Sequence, residues 1–149
     1  MSVQSLLGKP DLALLACAPH DLLSDACALM VKNKVNAIAV IEDGLHLVGI
    51  LTDHDVMRAL DGRAGKLGVA PVFDWMTDKV ITCSPDTKLT QAIRLMGKHG
   101  IRHLVVVDGT TPIAVLGIRA VLSKIHEQDE MEINVLRDMA VAHRSSLVS

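Results

Sequence analysis

Apolar residues along the chain change period in a fixed order, and the whole series occurs twice. Leu12 to Ala18 is a continuous apolar run that predicts a strand. Pro19-His20-Asp21 follows and predicts a turn with a helix N-cap. Leu22, Leu23, Ala26, Leu29 and Met30 then recur at helical spacing, so a helix is expected over Leu22 to Asn33. Val35 to Ile41 and Leu45 to Leu51 flank Glu42-Asp43-Gly44, and an Asp-Gly beside β-branched runs predicts a hairpin. A short helix over Asp53 to Leu60 closes the unit. In the second series the strand is Val80 to Cys83, the turn and cap Pro85-Asp86-Thr87, and the helix Lys88 to His99. Gly100 ends that helix as a C′ residue, more cleanly than Asn33 and Lys34 end the first. Strands Ile101 to Val107 and Ile113 to Leu116 then flank Asp108 to Pro112, and a helix follows over Ile118 to Ile125. Each copy reads β-α-β-β-α.

Setting Pro19 on Pro85 places Leu23 on Leu89, Ala26 on Ala92, Leu29 on Leu95, Met30 on Met96, Lys32 on Lys98 and Val40 on Val106. All share an offset of 66 (96 − 30). Two copies at so long a period are a tandem duplication, not a solenoid. Residues 1–60 are therefore read as the first repeat with a lead-in and 76–125 as the second. Residues 61–75, with Gly62, Gly65, Gly68 and Pro71, read as a linker folded over the surface. In the tail, 126–149, a charged stretch from His126 to Glu132 precedes Ile133, Leu136, Met139 and Ala140. Their spacing predicts a further amphipathic helix over 133–142, which must pack on this core or on a second subunit. Residues 144–149 are expected to fray.

Half of the 149 residues are apolar and the net charge is −2, so the chain can bury a core. That core belongs to one domain or to two small units sharing it. Without a basic excess, no nucleic-acid partner is expected. Phe73 and Trp75 are the only aromatics, which removes base-stacking platforms, and Trp75 reads as an apolar plug. Cys17, Cys27 and Cys83 lie in apolar runs with no Cys-x-x-Cys, as expected of reduced thiols in a cytoplasmic protein. The first eight residues do not read as a signal peptide. No apolar run reaches the ~18 residues of a membrane span, so no membrane partner is expected. No Cys/His set has zinc spacing, and no nucleophile–base or acid pair suggests catalysis; the reading is a non-enzyme without a metal.

The chemistry concentrates at Gly49-Ile50-Leu51-Thr52-Asp53-His54-Asp55, where a strand runs into a helix. Thr52 with Asp55 three residues on resembles a capping box, though the usual third residue is Glu or Gln. The same turn also suits a nucleotide. A helix N-terminus favours a phosphate, and the Thr52 hydroxyl adds a donor. A carboxylate one turn in can accept from both ribose hydroxyls, and Gly49 allows a close approach of backbone or ligand. In the second copy the offset falls to 65, and Ala114, Gly117 and Ala120 take the places of Gly49, Thr52 and Asp55. One competent and one degenerate site are expected. Arg102 and His103 are adjacent on a predicted strand and should face opposite sides. His54 is expected to be exposed.

The duplicated unit, Pro85-Asp86-Thr87 before its helix, and the Gly-h-x-Thr-x-x-Asp pattern of Gly49 to Asp55 resemble a tandem pair of cystathionine β-synthase (CBS) domains, a Bateman module. The likeness covers about residues 11–125. It implies an α/β fold of two β-α-β-β-α repeats, packed by their sheets about a pseudo-twofold axis with two clefts between them. It implies that such clefts bind AMP, ADP, ATP or related adenosyl ligands, and that two modules pair into a flat homodimer. Carried over by position, Asp55 takes the ribose hydroxyls and Thr52 the phosphate or ribose. Thr77, Val80, Ile101, Arg102 and His103 supply the far wall. Basic residues at the place of Arg102 and His103 meet phosphates, with Arg119 a further candidate; the matching Asn36-Ala37 carries no charge.

The function expected is a regulatory sensor that binds an adenine nucleotide and needs no obligatory cofactor. The alternative is a structural dimerisation module whose ligand site has decayed and which acts through a protein partner.

Overall fold

The computed structural model describes residues 1–9, 12–63 and 67–148. The first repeat forms β1 (Ala16–Cys17), α1 (Leu23–Asn33), β2 (Ala37–Glu42), β3 (His46–Thr52) and α2 (Asp53–Arg63). The second forms β4 (Thr82–Cys83), α3 (Leu89–His99), β5 (His103–Asp108), β6 (Thr111–Gly117) and α4 (Ile118–Val148). Each gives a three-stranded sheet, β1-β2-β3 and β4-β5-β6. The first pair in each sheet is parallel and joined by a helix; the second is an antiparallel hairpin. Both central strands carry a register shift at equivalent places, Val40/Ile41 and Val106/Val107. The Glu42–His46 pair encloses Asp43, Gly44 and Leu45, whereas the Asp108–Thr111 pair encloses only Gly109 and Thr110. That missing turn residue lowers the repeat offset by one. Pro112 sits on the edge strand β6, where a missing N–H is tolerated.

Alternation along the central strands splits the core into three. Ile38 and Val40 pack with Leu23, Met30 and Leu51 of their own repeat. Leu104 and Val106 pack with Leu89, Met96 and Leu116. The opposite faces bring Ala37, Ala39 and Ile50 against Val105 and Val115, joining the two sheets. Strands buried on both faces lose the apolar–polar alternation, which is why they read as continuous runs.

The end of the linker is bonded to the turn that precedes α1. Residues 72–74 form a short 3-10 turn, and Val72 and Phe73 donate to the carbonyls of Asp21 and Pro19, each at 2.9 Å. At the N-terminus Val3–Leu6 makes the same turn, and Val3 and Gln4 donate to Thr87 at 2.8 Å and Pro85 at 2.9 Å. These are equivalent pairs at an offset of 69 (72 − 3), so each repeat is completed by the other repeat's lead-in. Val3, Leu6, Ala70 and Val72 are all buried there. Gly65, assigned to the linker, lies outside the described residues.

The lead-ins also correct the expected caps. Asp21 Oδ2 accepts from the Ala18 N–H at 2.8 Å and Thr87 Oγ1 from the Ser84 N–H at 3.0 Å, closing the turns before the helices. The first helical donors, Leu23 and Leu89, bond instead to the carbonyls of Ala70 at 2.7 Å and Met1 at 3.0 Å.

Helix α2 runs to Arg63, past the expected end at Leu60. Gly62 inside it faces Trp75, whose Cη2 would lie 2.8 Å from an added Cβ. The two helices expected after β6 are one helix of 31 residues, about 46 Å long. No glycine or proline interrupts it, and its charged stretch makes helical pairs, Lys124–Glu127 at 3.9 Å and His126–Glu130 at 3.2 Å. It remains helical to Val148 instead of fraying from Arg144; Ser149 lies outside the described residues. Met131, Val135, Leu136 and Met139 are exposed along it. No described helix is long and apolar enough to cross a membrane. The cysteines are free thiols. Burial pushes the Cys17 and Cys83 pKa values up to about 12 and about 11, with Asp21 adding to the first.

If the lead-in is structural, Leu6→Ala should cost about 2–5 kcal/mol, the range for emptying a buried leucine site. The readout is a lower denaturant midpoint at unchanged slope. A loss under about 0.5 kcal/mol, the scale of a neutral surface change, would show that residues 1–6 are not docked.

Candidate functional site

The end of β3 and the start of α2 form the box that the sequence suggested. Thr52 Oγ1 accepts from the Asp55 N–H at 3.3 Å, and Asp55 Oδ2 accepts from the Thr52 N–H at 2.9 Å. The Thr52 hydroxyl also donates to Oδ2 at 3.1 Å. Two further donors converge on Oδ1. Arg58 Nη2 reaches it at 3.0 Å and the Thr77 hydroxyl at 3.3 Å. Asp55 is 3% exposed and is the buried charged residue of the described chain. Arg58 also donates to the Trp75 carbonyl at 3.2 Å and stacks over the Trp75 ring at 5.9 Å. No motif flagged Arg58; a helical position one turn after Asp55 was the available signal. Trp75 packs with the first repeat's core, as a plug would.

Thr77 is held by two backbone bonds with Ile50, both 2.9 Å, so it lies along the free edge of β3. Gly49 makes this possible: a Cβ there would lie 2.6 Å from Met76 Sδ and 3.1 Å from the Thr77 carbonyl. Its close approach is to protein, and Gly49 does not line the cleft.

The cleft holds about 330 Å³ and is lined by Thr52, Asp55, Thr77, Val80, Ile101, Arg102 and His103, with Ile50, Asp53, His54, Lys79, Ile81 and Gly100 beside them. The structure thus brings together every sequence-derived candidate but Gly49 and Arg119, the latter lining the second cleft instead. His54 is exposed, as expected, yet lies at the rim. Asp53 was not singled out because it is a variable position inside the flagged turn; Lys79 stands apart from any spacing pattern, and folding alone places it there. Arg102 and His103 do not diverge: both line this cleft. Strand alternation fails because β5 begins only at His103, leaving Arg102 on the bend before it. Arg102 reaches Asp53 of the other repeat at 3.7 Å. Burial lowers the His103 pKa; Asp53 opposes this and Arg102 adds to it.

A second cleft of about 250 Å³ lies at the equivalent place, lined among others by Lys34, Asn36, Arg102, His103, Gly117, Arg119 and Ala120. Gly117 and Ala120 stand there where the first has Thr52 and Asp55. Among the described residues no group of three His, Cys, Asp or Glu is placed to hold a metal.

A family model for the CBS domain matches residues 10–62 and 72–127. The CBS domain-containing protein YhcV of Bacillus subtilis is 32% identical over 101 residues, which are 68% of this chain and 71% of that protein. The crystal structure of CBSX2 in complex with AMP superposes with a TM-score of 0.69 at 28% identity, covering 86% of this chain and 98% of that one. A CBS domain pair crystallised with 5′-methylthioadenosine and S-adenosylmethionine gives 0.76 at 21% identity over 86% of this chain and 98% of that one, a likeness of fold.

Asp55→Ala should destabilise the protein by about 1–3 kcal/mol even without ligand, because it strands the donors of Thr52, Thr77 and Arg58. Thermal unfolding of the ligand-free variant checks this. An unchanged midpoint would mean that the carboxylate does not hold the repeats together.

Proposed function

The chain belongs to the CBS-domain family, a tandem pair of the regulatory ligand-binding kind, and we propose that it binds an adenine nucleotide in the cleft beside Asp55. AMP, ADP, ATP or a related adenosyl compound fits the chemistry. The observation that carries this reading is the meeting of Thr52 and Asp55 with Thr77, Val80, Ile101 and Arg102 across the two repeats. Val80, Ile81 and Ile101 offer an apolar wall for the base. Asp55 offers the ribose acceptor, and Lys79 and Arg102 offer cations for phosphate.

A carboxylate has about four acceptor positions, and protein donors hold four bonds to Asp55. A ribose hydroxyl must therefore displace a donor. Thr77 is the one that moves most cheaply, since its hydroxyl rotates and its 3.3 Å bond is long. Thr77 lies at the entry of the second repeat, so occupancy trades a bond between the repeats for a bond to ligand. That is a differential interaction through which a regulatory module can respond. In this reading the protein is non-catalytic, needs no obligatory cofactor and works in the cytoplasm, consistent with its three free thiols.

The alternative, a dimerisation module with a decayed site, is favoured by the same full shell around Asp55. Titration calorimetry with AMP, ATP and S-adenosylmethionine separates the two. A ligand at ~100-fold excess over Kd should stabilise the protein by about 2.7 kcal/mol. Asp55→Ala should lose that increment relative to its own ligand-free state. No binding by any of them below millimolar would leave the alternative standing.

We further propose a homodimer through α4, whose exposed Met131, Val135, Leu136 and Met139 need cover. Residues 127–132 carry four acids and no Lys or Arg, whereas 137–144 carry Arg137 and Arg144 against Asp138. An antiparallel second copy sets the acidic half against the basic one; a parallel copy stacks acid on acid. Light scattering should give twice the chain mass, falling to one for Val135→Glu/Met139→Glu. A monomeric wild type, or a variant that stays dimeric, would refute this surface.

A further inference from the structure

We propose that the second cleft binds a free oxyanion of the phosphate class, with no nucleoside attached. Its loss of the ribose-type acid marks it as degenerate only toward nucleotides. The charges lining the first cleft balance: Asp53 and Asp55 against Lys79 and Arg102. The second is lined by Lys34, Arg102 and Arg119, three cations, with no Asp or Glu among its lining residues. Three like charges around a concave wall raise its potential and attract a counter-ion.

Two of these cations have no counterpart in the first cleft. Lys34 falls on Gly100 (100 − 34 = 66) and Arg119 on His54 (119 − 54 = 65), so both are specific to this cleft. Lys34 holds φ 54°, a left-handed conformation that Gly100 adopts at 63°. A lysine there accepts a backbone that favours glycine. Among the described residues neither Lys34 nor Arg119 is in an ion pair, and Arg102 has only the long 3.7 Å approach to Asp53. Both partners of that pair are substantially exposed, so it releases Arg102 at little cost. The His103 ring lies beside Gly117, 3.7 Å from where its Cβ would be, and completes the wall with a nitrogen-bearing ring. Guanidinium pairs and an ammonium suit the several equivalent oxygens of a phosphate. With Gly117 and Ala120 in place of Thr52 and Asp55, no carboxylate there accepts from a ribose.

The test titrates inorganic phosphate, pyrophosphate, adenosine and AMP separately into the full chain at matched ionic strength, read by thermal shift and calorimetry. Pyrophosphate or phosphate should bind saturably, and adenosine should not bind at this cleft. The double variant Lys34→Gly/Arg119→Gln should keep its fold, since glycine suits the backbone at 34, and should weaken anion binding at least tenfold. Lys79→Gln, at an exposed position that lines only the first cleft, should leave anion binding unchanged. The site is refuted if neither anion saturates at matched ionic strength, or if the double variant binds as well as wild type. Loss of anion binding in Lys79→Gln but not in the double variant would place the anion in the first cleft and equally refute it. The nucleotide reading falls separately, if adenosine and AMP fail while the anion still binds.

Discussion

One carboxylate joins the two repeats where the main cleft opens. Asp55 accepts from Thr52 within its own cap, from Arg58 one turn along α2, and from Thr77 of the segment leading into the second repeat. A buried charge is tolerated only when its acceptor positions are filled. Filling them requires Thr77 to lie on the edge of β3, and that requires Gly49 to have no side chain. Cap, strand edge and cleft wall are thus one constraint. The same bonds that stabilise the fold are those that a ribose would have to replace.

The sheets set where this happens. Ala37, Ala39 and Ile50 meet Val105 and Val115 face to face, so the ends of the central strands converge from both repeats. Each repeat is then completed by the other's lead-in, with Val3 and Leu6 in one core and Ala70 and Val72 in the other. Neither repeat has a full core alone, and both clefts are lined from both halves. Duplication built two equivalent clefts; divergence at a few positions separated their chemistry. Thr52 and Asp55 stand opposite Gly117 and Ala120, and Gly100 and His54 opposite Lys34 and Arg119. Arg102 and His103, at the centre, line both.

Much of the fold was legible because its periodicities are strong and written twice. The order of elements, the hairpins and the helical apolar faces follow from positions such as Leu23, Ala26 and Met30 against Leu89, Ala92 and Met96. The equivalence of the lead-ins was hidden, because Val3-Gln4 and Val72-Phe73 share little beyond one valine. What matches there is backbone bonding, which side-chain identity barely records. Helix α4 was split in two because a charged surface stretch looks like a break, when it is a solvated helical face. At the site, spacing named Thr52, Asp55 and the close backbone approach at Gly49, but misjudged Arg102, which bends before the strand.

By itself the sequence determined the duplication, the element order and the asymmetry between the two strand-to-helix turns. These depend on local period and residue type, which a linear chain carries completely. Only the tertiary structure decided which groups meet. Thr77 lies 22 positions from Asp55 and Arg102 lies 49 from Asp53 (102 − 53), and both pairs come together through packing between repeats. The charge balance of each cleft is likewise a property of the assembled pair. It sums residues from both sheets, and no local window of the chain contains that sum.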